Sequence, residues 1–98
     1  MVNGKWKVTA KTPMGTMQFV FNMVVEGESL TGSVVFQGKT SEIINGKVNG
    51  DEFSFSTKLQ TPMGVKGADI VGSAQGDNLS GKATVKMLGT HAYTGSRM

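Results

Sequence analysis

Apolar and polar residues alternate with a period of two through most of the chain, and helical spacing is nowhere sustained. From Gly4 to Thr12, Trp6, Val8 and Ala10 share one face, while Lys5, Lys7, Thr9 and Lys11 share the other. That is the pattern of a strand buried on one side. Thr16 to Val25 continues with Phe19, Phe21, Met23 and Val25 inward, and Leu30, Gly32, Val34 and Phe36 follow. Between 40 and 47 the alternation puts Glu42, Ile44 and Gly46 inward, although Ile43 and Ile44 cannot both face in without a bulge. Phe53, Phe55, Thr57 and Leu59 form a fifth inner face. Ala68, Ile70, Gly72 and Ala74 form a sixth, and Leu79, Gly81, Ala83 and Val85 a seventh. From Thr90 onward His91, Tyr93, Gly95 and Arg97 share one parity. Turn signals separate the runs, among them Asn49-Gly50, where both residues tolerate positive φ.

Thr12-Pro13-Met14-Gly15 returns intact as Thr61-Pro62-Met63-Gly64, an offset of 49 residues. The same offset relates Gly27 to Gly76, Leu30 to Leu79, Gly32 to Gly81, Gly46 to Gly95, and Glu28 to Asp77. Matches in one register point to an internal two-fold duplication, with pseudo-repeats 1–49 and 50–98. Echoes at Gln37-Gly38-Lys39-Thr40 and Met87-Leu88-Gly89-Thr90 suggest a smaller unit used four times. The predicted class is all-β, a single domain. A long flat meander would expose two edges, so the pattern predicts closure into an eight-stranded antiparallel up-and-down barrel. Inward glycines fit strongly bent strands. An open two-sheet sandwich is the competing architecture.

Composition narrows the function classes. A chain of 98 residues without cysteine excludes a disulfide scaffold and thiolate metal ligands. One histidine leaves too few ligands for a metal site, and no cofactor is expected. The net charge of +3 is mild and its lysines are scattered. Lys5, Lys7, Lys11, Lys82 and Lys86 form a basic outer stripe without interleaved aromatics, so no nucleic-acid partner is expected. No apolar run reaches membrane-spanning length, and the first residues enter a strand without signal-peptide character. A cytoplasmic protein with no membrane partner is the expectation. Outward Val20, Val24 and Val35 form a small apolar patch that suits a homodimer.

Gly4-Lys5-Trp6 resembles the Gly-x-Trp signature on the first strand of calycin barrels of the lipocalin, streptavidin and nitrobindin type. In that superfamily an Arg on the last strand commonly packs across the Trp, and Arg97 occupies that place. The resemblance implies a small barrel and rests on Gly4, Trp6 and Arg97 alone. The chain is shorter than lipocalins and lacks their other loop motifs and C-terminal helix.

Turn order assigns the two ends of such a barrel. Bulky inward residues gather at the end that holds both termini, whereas Ala10, Thr12, Glu42, Thr57, Ala68, Ala83 and His91 mark the Pro-Met-Gly end. A closed floor and a roomier mouth follow, which suits one small hydrophobic molecule as ligand. Met14, Met17, Met63 and Met87 would give the mouth an adaptable apolar rim, with Thr12, Phe19, Phe36, Glu42, Thr57, Leu59, His91 and Tyr93 lining the cavity. The 49-residue offset pairs Glu42 with His91 and Ile44 with Tyr93 across the lumen. Carboxylate, imidazole and phenol would then converge as proton transfer requires. A cofactor-free isomerase, cyclase or lyase using Glu42, His91 and Tyr93 is therefore the alternative to a binding protein. A structural hydrogen-bonded pair of Glu42 and His91 is a third reading, and a module that assembles through the valine patch is a fourth.

Overall fold

The computed structural model describes residues 2–12, 15–61, 64–86 and 89–98. Every regular element is a strand: β1 (Gly4–Thr12), β2 (Gly15–Glu26), β3 (Ser29–Phe36), β4 (Lys39–Glu42), β5 (Ile44–Asn49), β6 (Glu52–Thr61), β7 (Gly64–Gln75), β8 (Asn78–Val85) and β9 (Gly89–Arg97). Apart from β4 and β5, which both pair with β3, each strand pairs antiparallel with its neighbour in sequence, and β1 pairs with β9 to close the sheet. β4 and β5 share one place in the wall, so the protein is a closed eight-stranded antiparallel barrel. It measures 35 × 22 × 22 Å.

The tight turns follow from local chemistry. Gly27-Glu28 and Gly76-Asp77 are two-residue loops whose glycines both have φ of 62°, as the first position of a type II′ hairpin requires. The Asn49-Gly50 signal lands one residue away from the expected place. Asn49 pairs with Glu52, leaving Gly50 and Asp51 as the loop.

Inward alternation holds through most of the wall. Trp6, Phe21, Met23, Leu30, Val34, Phe55, Ile70, Leu79 and Tyr93 are all buried. The exception is the fourth wall position. Phe36 pairs with Lys39 and Val34 with Ser41, which turns Ser41 and Ile43 toward the core and Glu42 outward opposite Ser33. The β5–β6 register then slips between Ile44 and Lys47, with Asn45 held at φ of 53°. This bulge restores the parity, so Val48 is buried again. Ile43 therefore packs against the core, while Ile44 is 37% exposed. The inward placement of Glu42 and Ile44 is corrected accordingly: the bulge lies between Ile44 and Lys47, after both residues, so both keep the parity set by the Gln37-Gly38 turn and face outward.

The terminal end is sealed. Val2 lies buried beneath the barrel and accepts a hydrogen bond from Trp6 Nε1 at 2.8 Å. The Arg97 guanidinium lies 4.1 Å from the Trp6 ring centre and donates to the Asn3 carbonyl at 2.7 Å. Its ion pair with Asp77, at 3.3 Å, is solvent-exposed and adds little.

Candidate functional site

Four strands carry a row of facing residues, Phe53–Gly72–Gly81–Tyr93. A Cβ on Gly72 would meet Phe53 at 2.8 Å, and one on Gly81 would meet Tyr93 Oη at 2.7 Å. The two glycines thus make room for the two rings that flank them. Tyr93 Oη donates to the Val71 carbonyl at 2.8 Å, and burial pushes its pKa well above the usual phenol value. The phenol is thereby a bonded structural group rather than an open proton donor.

Aromatic contacts continue from Tyr93 toward the other end. Phe21 meets Tyr93 edge-on with centroids 5.8 Å apart, and Phe55 at 5.5 Å. Phe19 stacks on Phe36 at 4.7 Å. Phe36 and Leu59 are buried, but Met17, Phe19, Ile43, Ala83 and Val85 pack against the core only partly covered. Phe36, Leu59, Met17, Phe19, Ala83 and Val85 lie toward the strand ends nearest the Pro-Met-Gly turns, whereas Ile43 lies between β4 and β5, and Val25, also partly covered, lies beside the Gly27 turn at the other end.

The expected site residues separate into groups. Met17, Phe19, Phe36, Thr57, Leu59 and Tyr93 all face or flank the interior. Thr57 is buried, and its hydroxyl donates to the Glu42 carbonyl at 2.9 Å. Thr12 is half-buried, with its hydroxyl donating to the Gly15 carbonyl at 2.8 Å. His91 is half-buried opposite Ala83 on the inward parity. Met14, Met63 and Met87 lie outside the described residues. Glu42 is exposed on the outer face, so its carboxylate does not join His91 and Tyr93 in one cavity. Outside, Val20 pairs with Val35, both half-buried, and Val24 is 47% exposed.

A further concavity lies elsewhere, and nothing in the sequence pattern announced it. An open groove of about 1430 Å³ runs over the outer wall of β5 to β8, lined by Lys47, Ser54, Val71, Ser73, Ser80 and Lys82 among others. A notch of about 160 Å³ adjoins it at Asn45, Ser56 and Asp69. Ser56 donates to Asp69 there at 2.6 Å. Period-two alternation reports which side a residue faces but not how far the wall curls, so it carried no signal for this groove.

Among the described residues, no group of three or more His, Asp or Glu is placed to hold a metal ion. No helix among them is long and apolar enough to cross a membrane. No family model, curated protein or solved structure matches this chain.

Proposed function

We propose that the protein binds a small, largely apolar molecule at the Pro-Met-Gly end of the barrel. One observation carries this reading: the two ends of the core are covered unequally. At the terminal end Val2, Trp6, Met23, Leu30 and Leu79 are at most 2% exposed, beneath the Arg97–Trp6 stack. At the other end the core surfaces as a half-covered set around Met17 and the Phe19–Phe36 pair. An apolar ligand gains by covering such surface, at about 25 cal/mol per Å². Met17 supplies an adaptable wall and Phe19 a flat one. Met14, Met63 and Met87 extend the same rim on the sequence pattern. The Arg97–Trp6 stack supports a calycin-like reading, in which the sealed end is structural and the opposite end receives ligand.

The test is a titration of the protein, labelled with 13C on its methionine methyls, with N-phenyl-1-naphthylamine, an uncharged fluorescent probe. The Met17 methyl is expected to shift with probe concentration while Met23, at 2% exposure, stays still. Phe19→Ala should weaken binding about tenfold by removing the flat wall. No shift at Met17, or a shift at Met23 as large as that at Met17, would overturn the proposal.

A further inference from the structure

The wall of the barrel is not zipped uniformly. β6 pairs with β7 along its whole length, from Glu52 to Thr61. On its other side the ladder runs from Asn49–Glu52 to Ile44–Ser56 and goes no further. Beyond that point β4 lies beside β6, and two side-chain hydroxyls span the seam. Ser41 Oγ donates to the Lys58 carbonyl at 2.6 Å, and Thr57 Oγ1 donates to the Glu42 carbonyl at 2.9 Å. The four-residue β4 is held on its far side by four pairs with β3. It is entered through Gln37-Gly38, both at positive φ, and left through the Asn45 bulge.

A short segment between two backbone irregularities therefore covers the flank of Phe36 and Leu59, and among the described residues it is fastened along one edge by these two hydroxyl bonds. Such bonds are readily exchanged for water, because each contributes only about 1 kcal/mol net. Segments held this way open at far lower cost than the whole fold.

The other seam of the barrel is closed further along. β1 and β9 pair from Trp6–Arg97 to Ala10–Tyr93. Ala10 is the 49-residue counterpart of Leu59, three positions past the last laddered residue of β6, Ser56. The counterpart of Ser41 is Thr90, whose hydroxyl shares a 2.9 Å bond with Thr84 on the adjacent β8 instead of crossing the β1–β9 seam.

We propose that β4 is a lateral gate: its seam with β6 parts in the folded protein and gives the apolar ligand its route to Phe19 and Phe36. What passes rests on the binding reading above; that the seam opens does not.

The test uses the full chain, hydrogen exchange at native pH and stopped-flow uptake of N-phenyl-1-naphthylamine. Of the amides at 39–42 and 57–60, only those bonded to β3 or β7 report an opening, because the seam itself holds no backbone bond among the described residues; these should exchange at least about tenfold faster than those of the laddered part of the β1–β9 seam. Ser41→Ala combined with Thr57→Val, which keeps the volume, should speed both that exchange and probe uptake about tenfold. Thr90→Ala should change neither. If the double variant does not fold, Ser41→Ala alone carries the same comparison with a smaller increase. Seam amides that exchange only through global unfolding would overturn the gate, as would uptake indifferent to the variant. If the wild-type chain does not bind the probe, the binding reading fails and exchange alone decides the gate. Fast local exchange then upholds it, and exchange at the global rate removes it.

Discussion

A shift of 49 residues carries β2 (Gly15–Glu26) onto β7 (Gly64–Gln75) and β3 (Ser29–Phe36) onto β8 (Asn78–Val85), end for end. The inward side chains do not follow. Phe19 has Ala68 as its counterpart, Phe21 has Ile70, and Phe36 has Val85, whereas Ala10 has Leu59 and Gly4 has Phe53. An eight-stranded barrel has room for its own side chains and at most one small ligand. Two halves with one backbone plan therefore cannot both place a large ring at the same level. What repeats is the frame set by turns and alternation; what differs is volume, divided so that large residues in one half stand against small ones in the other.

The strongest way to break that comparison is to make the halves alike. Ala68→Phe puts a ring at a site only 3% exposed, at the level already holding Phe19 and Phe36. Overpacking of this kind should cost about 1–3 kcal/mol or more. Adding Phe19→Ala, which exchanges the two sizes, should return part of the loss, with a coupling of about 0.5–3 kcal/mol. Urea unfolding of the two single variants and the double variant measures it. Strictly additive losses would mean that the two positions do not share volume.

The frame was readable because turns and alternation are local. Each hairpin is specified within a few residues, and a 49-residue register of glycines aligns the halves without any knowledge of contacts. The candidate site was readable only in part. Met17, Phe19, Phe36, Thr57 and Leu59 fall where parity puts them, because their strands run without interruption. Glu42 does not, because one inserted residue reverses every side chain between the Gln37-Gly38 turn and the bulge. Ile43 and Ile44 announced the need for a bulge, but adjacent isoleucines fit either face and leave its position open. The deciding feature is Asn45 at φ of 53°, a conformation that Asn tolerates but does not by itself demand. Carrying Glu42 onto His91 by the 49-residue offset thus failed at a wall position where the backbone of β4 and β5 departs from that of β9.

Tyr93 and its counterpart Ile44 sharpen the same contrast chemically, since one is buried and the other 37% exposed. Burial raises the Tyr93 pKa above the value near 10 of an unfolded tyrosine. Its neutral form is favoured in the fold, so the contribution is complete below about pH 10. Above that pH the unfolded chain gives up the proton while the folded chain keeps it. Stability should then fall by about 1.4 kcal/mol per pH unit. Tyr93→Phe should remove this slope and, below about pH 10, cost about 1 kcal/mol for the bond to the Val71 carbonyl. Urea midpoints of both proteins between about pH 9 and 11.5 give the comparison, and Tyr93 is the only tyrosine that can titrate. Parallel curves would mean that the phenol ionises within the fold as readily as in water.

The smallest effect isolates the backbone difference itself. Asn45 and Thr94 are counterparts, but Asn45 sits in the left-handed region at the bulge while Thr94 is extended, paired with both Ser80 and Thr9. Left-handed geometry costs most residues about 1–2 kcal/mol, Asn less, and Gly almost nothing. Glycine also loses more freedom on folding, by about 0.5–1 kcal/mol. At position 45 the two terms nearly cancel, so Asn45→Gly should leave stability within about 0.5 kcal/mol of wild type. At position 94 nothing offsets the entropy or the lost β-branched side chain, and Thr94→Gly should cost about 1 kcal/mol. Thermal unfolding under one buffer condition compares them directly. If Asn45→Gly costs as much as Thr94→Gly, the bulge depends on the Asn side chain at the mouth of the outer groove, and its backbone conformation is a consequence of that contact rather than its cause.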